Sequence, residues 1–308
     1  MPDDNSLAST PSPETSHAEH GVQPRRYRLP SATRLGRVRL QVADLSRSLL
    51  FYEMVLGLRV LARDAGVVVL GTHDESRALV ELHERAGAHP MPRRGRLGLY
   101  HFALLLPDRP ALGRFLQHVF ETGGHTGMSD HLYSEAVYLS DPDGLGIEVY
   151  ADRPRETWQY RNREFIATVE PLDVDGLVRA GGGEQWRGMP PGAVLGHVHL
   201  HVGDLEASGR FFHDGLGFDK TTWTFPRALF LGAGGYHHHL GTNTWAAHAE
   251  RPTVDDARLL EWEVVLPTPA DVQAAATSVR DGGFALVDDA RGFIADDPWG
   301  TRVRVVAG

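Results

Sequence analysis

The 308-residue sequence contains no cysteine. Disulfides, thiolate metal sites and a cysteine nucleophile are therefore excluded. Any metal must be held by His, Asp or Glu, donors that favour iron, manganese or zinc over softer ions. Positive charge is also short, with 31 Lys and Arg against 40 Asp and Glu and a formal net charge of -9. Arg far outnumbers Lys but is scattered among acidic residues, which argues against a nucleic-acid partner. No apolar run approaches the ~20 residues that span a bilayer, so no membrane partner is expected. The first thirty or so residues lack the apolar segment of a signal peptide and are rich in Ser, Pro, Thr, Glu and His. Residues 1–33 accordingly read as a disordered tail, with His17 and His20 solvated, and the chain reads as cytoplasmic.

What is present is a repeat. Gly36 to Leu45 (GRVRLQVADL) recurs as Gly196 to Leu205 (GHVHLHVGDL), and Ser48 to Leu58 aligns without a gap with Ser208 to Phe218. Each copy opens with strict polar/apolar alternation, the pattern of a half-buried strand. An Asp suited to cap a helix follows, and Gly57 and Gly217 stand where the helix should end. Leu99 to Pro107 resembles Leu259 to Pro267, and Ser140-Asp141-Pro142-Asp143-Gly144 resembles Asp296-Asp297-Pro298-Trp299-Gly300. Each of these last is a turn into a final strand. The chain therefore reads as four βαβββ units of an α+β protein. These are expected to pair as an N-terminal domain (34–153) and a C-terminal domain (192–308). A linker with one short helix (154–191) lies between them.

Four such modules paired into two half-open barrels resemble the vicinal oxygen chelate superfamily, which includes glyoxalase I, extradiol dioxygenases and bleomycin-resistance proteins. The stretch Gly234 to Trp245 (GGYHHHLGTNTW), Ser134 to Gly144, Glu148 to Pro154 and the GHVHLHV strand resemble the bacillary type of catechol 2,3-dioxygenase. The resemblance covers nearly everything after residue 34. It implies one metal, in the cup of one barrel, with ligands from first and last module strands. His197, His199 and His201 share one face by alternation. His197 occupies the ligand slot, against the reading that three alternate histidines merely line a polar cavity. Among His237, His238 and His239, the choice falls on His239, four residues before Asn243. His238 is then expected on the outer face, and His237 replaces His239 if the strand is bulged. Glu261 is the third expected ligand, with Glu263 as runner-up, against an ordinary salt bridge to a nearby Arg. Arg302 and Arg304 cannot ligate.

The resemblance marks His101 and Glu148 as a rival pair in the N-terminal barrel, with Glu81 near a third slot. Arg37 in the opening slot argues that this barrel is structural, because a guanidinium repels a cation. Better-known two-domain extradiol enzymes draw a His from each first strand and a Glu from a last strand, an order that His197, His239 and Glu261 do not follow. The set nevertheless supplies the two-His-one-carboxylate donors of Fe(II) oxygenases, with Mn(II) or Zn(II) as alternatives. The expected function is extradiol cleavage of a catechol-type diol with O2. His199 is assigned as the proton acceptor, Tyr236 and His237 as further catalytic groups, and Asn243 and Trp245 as substrate-binding residues. Trp245 reads equally well as core. A homo-oligomer is compatible with the sequence. The alternatives are a glyoxalase-like metal lyase or isomerase, and a metal-free protein that binds an aromatic drug.

Overall fold

In a computed structural model the described residues are 20–73, 75–124 and 127–308. The first module comprises β1 (Arg34–Val42), α1 (Leu45–Met54), β2 (Arg59–Asp64), β3 (Val67–Gly71) and β4 (Ala78–Glu84). The second comprises β5 (Gly98–Leu105), α2 (Arg109–Glu121), β6 (Gly127–Asp130), β7 (Ser134–Ser140) and β8 (Gly146–Asp152). A short hairpin, β9 (Tyr160–Arg161) and β10 (Glu164–Phe165), and α3 (Val174–Ala180) follow. The third module comprises β11 (Val194–His201), α4 (Leu205–Gly209), β12 (Asp219–Thr222), β13 (Ala228–Gly232) and β14 (Leu240–Asn243). The fourth comprises β15 (Arg258–Leu266), α5 (Pro269–Asp281), β16 (Val287–Asp289), β17 (Gly292–Asp296) and β18 (Arg302–Ala307).

The local signals are used as their chemistry dictates. Asp44 and Asp204 cap α1 and α4, their carboxylates accepting from the Arg47 and Ala207 backbone N–H groups. Gly57 and Gly217 take φ of +71° and +100°, the left-handed conformation that ends a helix and favours glycine. Asp141 and Asp297 close the two equivalent turns, each accepting two backbone N–H groups through one oxygen. No helix among the described residues is long and apolar enough to cross a membrane.

The modules do not pair along the sequence. One eight-stranded sheet runs β12-β13-β14-β11-β5-β8-β7-β6 and the other β16-β17-β18-β15-β1-β4-β3-β2. The second module thus joins the third, and the first joins the fourth, through antiparallel contacts of their first strands. Charge complementarity accompanies this pairing. Arg39 on β1 lies opposite Glu261 on β15, a favourable cross-strand pair, whereas β11 and β5 bring His199 opposite His101. Pairing β1 with β5 would set arginines against the histidine instead. Each sheet therefore contains strands from both 34–153 and 192–308, so the expected division into consecutive barrels does not describe the sheets.

Two further segments depart from expectation. The part of the expected tail from residue 20 onward is docked: Gly21 donates to Arg163, Arg28 pairs with Asp219 at 2.6 Å, and Leu29 is buried. The reading of residues 1–19, His17 among them, lies outside the described residues. The linker holds the expected short helix, α3, packed so closely on α2 that a Cβ at Gly113 would meet the Leu177 carbonyl at 2.2 Å. It also holds the unexpected hairpin, whose Phe165 clusters with Trp158, Tyr133 and Tyr236 behind the site.

Candidate metal centre

Strand alternation turns His197, His199 and His201 of β11 to one face, and the antiparallel pairing brings His101 of β5 across to them. β8 lies parallel to β5 on its other side and contributes Glu148. His101, Glu148 and His197 are all buried and form one group able to hold a metal ion. Glu148 Oε2 lies 3.0 Å from His101 Nε2 and 3.2 Å from His197 Nε2, and the two Nε2 atoms are 3.3 Å apart. Donors ~2.1 Å from a shared ion lie ~3.0 Å apart at right angles and ~3.4 Å apart at tetrahedral ones, and the observed edges fall in that range. One proton cannot satisfy two nitrogens and a carboxylate that converge on one point; a cation satisfies all three. The donors thus fit a divalent metal. Burial alone would push the Glu148 carboxyl up, but His197 and His101 hold it well below the usual carboxylate range, ready to ligate.

Of the three ligands expected from sequence, only His197 belongs to this group. Its partners are the pair expected as the rival site, so the structure joins that pair to the favoured histidine. The resulting order, a His from each first strand and a Glu from a last strand, removes the irregularity of the expected set. Glu261 lies in the other sheet, where Arg304 donates to it through Nε at 2.7 Å and Nη2 at 3.0 Å, and Arg39 pairs with it as well. Arg37 pairs with Glu81 at 2.8 Å in the same network. Glu261 and Arg304 stand where the first sheet has His101 and Glu148, and Arg37 stands in the slot of His197. The equivalent cup is therefore neutralised by guanidinium groups. Glu263 pairs with Arg291.

His239 misses the group for a local reason. Gly234 and Gly235 both take positive φ, and β14 begins only at Leu240, so the three histidines lie in a turn without strand alternation. The His239 ring accepts the Ala233 backbone N–H and packs beside Phe218 and Tyr236. His238, expected outside, instead lines the site cavity, its ring 4.2 Å from that of His197.

The cavity beside the triangle measures about 170 Å³. Tyr100, Phe225, Phe230 and Trp245 form its aromatic wall, and Thr168 and Val169 of the linker contribute to it. A cavity of ~150 Å³ takes a benzene ring, so the space suits a single-ring ligand. Trp245, at 40% exposure, stands at the mouth, its ring edge-on to Tyr100, so it is wall rather than core. Asn243 is fully buried behind the wall. Its Oδ1 accepts from the Trp245 backbone N–H and faces His201 Nδ1, so its amide N–H donates to His199 Nε2 at 3.0 Å. A Cβ on Gly241 would lie 2.9 Å from the His199 ring, so only glycine admits that ring here. Burial first, then His101 and His197, hold His199 well below the ordinary histidine range and keep it neutral.

Tyr236 and His237 do not reach the cavity. The Tyr236 hydroxyl meets that of Tyr150 at 2.7 Å, and His237 Nε2 meets Asp152 at 2.8 Å. The sequence reading missed His131 and Tyr138, both cavity residues. His131 donates from Nδ1 to the Thr168 carbonyl, and its Nε2 lies 2.7 Å from the Tyr138 hydroxyl, which also hydrogen-bonds Glu148. Tyr138 was within reach of the sequence: the hairpin closed by the Ser140–Gly144 turn pairs Tyr138 directly with Glu148. His131 carries no such signal.

The chain belongs to the Glyoxalase/Bleomycin resistance protein/Dioxygenase superfamily, whose model matches residues 34–149 and 194–305. Among curated proteins, a catechol-2,3-dioxygenase of Bacillus subtilis (strain 168) is 43% identical over 270 residues, covering 86% of this chain and 94% of its own. A solved structure from Bacillus subtilis subsp. subtilis str. 168 superposes with a TM-score of 0.62 at 11% identity, covering 92% of this chain and 86% of that one. Glyoxalase I from Zea mays superposes with a TM-score of 0.54 at 19% identity, covering 90% and 92% of the two chains. At these identities the superpositions speak to fold alone.

Proposed function

We propose that the chain is a non-haem Fe(II) extradiol dioxygenase that opens the ring of a single-ring catechol with O2. The observation that carries this reading is the buried triangle of His101, His197 and Glu148 facing an aromatic cavity of one-ring size. The 43% identity to a catechol-2,3-dioxygenase supports the same activity. These three side chains are the donors of a two-His-one-carboxylate site, and they replace the set expected from sequence. A ferrous ion held there supplies Lewis acidity toward the diol hydroxyls and the redox chemistry that O2 requires.

The chain's own residues do the rest. The aromatic wall orients the ring and excludes water from one face. His199, neutral and with Nε2 already taken by Asn243, presents Nδ1–H as a donor, suited to an oxygen gaining negative charge. This reading makes His199 a donor, where the sequence reading expected a proton acceptor. Tyr138 is held toward the same cavity by His131.

The test is anaerobic loading of protein purified without a His tag, with Fe(II), Mn(II) or Zn(II), followed by catechol and air. The expected result is one metal per chain, O2 uptake only with the redox-active metals, and a ring-opened product carrying both oxygen atoms of O2. A loaded protein that consumes no O2 with any single-ring diol but isomerises a hemithioacetal would replace this reading with a glyoxalase-like one. A protein that holds no metal yet binds aromatic ligands would replace both.

A further inference from the structure

The proposed function leaves unused a hydrogen-bonded row that runs from the protein surface to the cavity. Asp152, at the end of β8, lies 2.8 Å from His237 Nε2, and His237 Nδ1 lies 2.8 Å from His238 Nδ1. The His237 side chain is completely buried, whereas that of Asp152 is 23% exposed. Packing fixes the middle ring: Tyr133 stacks on His237 at 4.3 Å with 17° between planes, and Trp158 meets it edge-on at 5.2 Å. At the far end His238 lies against His197 and, edge-on, against Phe230.

The direction of each bond follows from the inventory of donors and acceptors. An ionised carboxylate only accepts, so His237 carries its proton on Nε2. With His237 taken as the neutral imidazole, its Nδ1 holds a lone pair and His238 supplies the proton between the two rings. His238 is thereby protonated at Nδ1. Its Nε2 lone pair is left on the side of the ring away from His237, where the ring lines the cavity. Asn243 imposes the opposite state on His199, whose Nε2 accepts and whose Nδ1 carries the proton.

We propose that Asp152 and His237 are positioning residues that hold His238 in this one tautomer and ring orientation, as the hydrogen-bond acceptor for a hydroxyl of the diol. Opposite tautomers of His238 and His199 thus give the cavity one acceptor and one donor, a match for a ligand with one hydroxyl still protonated and one ionised. The assignment of the hydroxyl rests on the proposed dioxygenase function; the tautomer of His238 does not. Tyr236 and His237, expected as catalytic from sequence, lie behind His238, and His237 acts through it.

The tautomer is read directly from the nitrogen-15 shifts of His238 in metal-free protein, assigned with a His238→Gln control. The wild type is expected to show protonated Nδ1 and bare Nε2. His237→Phe keeps an aromatic ring between Tyr133 and Trp158 but removes the acceptor, and His238 should move to the Nε2–H form. Asp152→Asn, which retains the packing, should shift it in part, and Asp152→Glu should restore the wild-type state. In iron-loaded protein His237→Phe and Asp152→Asn should keep one metal per chain and lower kcat/KM for catechol by roughly 10- to 100-fold, the usual weight of an outer-shell partner. Nε2–H in the wild type, or a tautomer unmoved by both variants, overturns the proposal. Wild-type protein that shows the expected tautomers yet turns over no diol would instead defeat the dioxygenase reading and leave the positioning row standing.

Discussion

Glu261 and Glu148 occupy opposite kinds of buried carboxylate site, and Gln at each position separates the two. Glu261 is 6% exposed and accepts from Arg304 twice and from Arg39. Glu261→Gln removes the negative charge and leaves two guanidinium groups facing a neutral amide. Stripping one partner from a buried ion pair costs about 3–5 kcal/mol. The Arg39 and Arg304 side chains retain 19% and 11% exposure and keep Glu81 and Asp289 as partners, so the lower figure, about 3 kcal/mol, is an upper bound. An unfolding entropy of ~2.1 cal/mol/K per residue amounts to ~0.65 kcal/mol/K over this chain, so Tm should fall by up to about 5 °C if it unfolds as one unit. Metal content should remain at one per chain. Glu148→Gln should do the reverse: the metal-free protein should melt close to the wild type, while metal retained after dialysis falls by at least tenfold. Calorimetry paired with metal analysis reads both. Loss of metal from Glu261→Gln with an unchanged Tm would falsify the assignment of the sites to the two sheets.

Two other outcomes follow from the geometry. His199→Gln should keep one metal per chain and lower turnover of catechol by roughly 10²–10³-fold, the cost of losing a preorganised donor; near-wild-type turnover would remove His199 from the mechanism. Burial, reinforced by the neighbouring Asp143 carboxylate, raises Asp141 to about 7 against an unfolded value of ~3.9. The folded state therefore binds the extra proton between about pH 4 and 7, and this contribution to stability falls as pH rises through that window. Asp141→Asn should flatten the urea-measured stability profile there, and parallel profiles for the two proteins would contradict the shift.

Module content was legible because it is local. The alternation of GRVRLQV and GHVHLHV, the capping Asp44 and Asp204 and the Gly57 and Gly217 helix ends each depend on a few adjacent residues. Partner choice was not legible from the repeat, since a strand's alternation reveals its two faces and not its neighbour. The information was present as charge: Arg37 and Arg39 complement Glu81 and Glu261, and His101 matches His197. Treating Arg37, Glu81, Glu261, His101 and His197 as separate ligand slots hid that complementarity. The His237–His239 error has a different origin. Two consecutive left-handed glycines turn the chain just before the histidines, so a face assignment that assumed a strand was inverted for His238.

The crossed pairing also bears on assembly during synthesis. The metal triangle can close once β11 has emerged, because β5, β8 and β11 then all exist. β1 must wait much longer, since the partner of Arg39 lies 222 residues downstream. At ~10 residues per second that is roughly 20 seconds during which β1 presents an unpaired edge. Such an edge invites pairing with a second nascent copy through β15, in place of the chain's own. The arginine-rich polar face of β1 does not discriminate against that exchange, because Glu261 of a second copy complements Arg39 as well as the chain's own does; it opposes only the pairing of two waiting β1 strands, whose arginines repel one another.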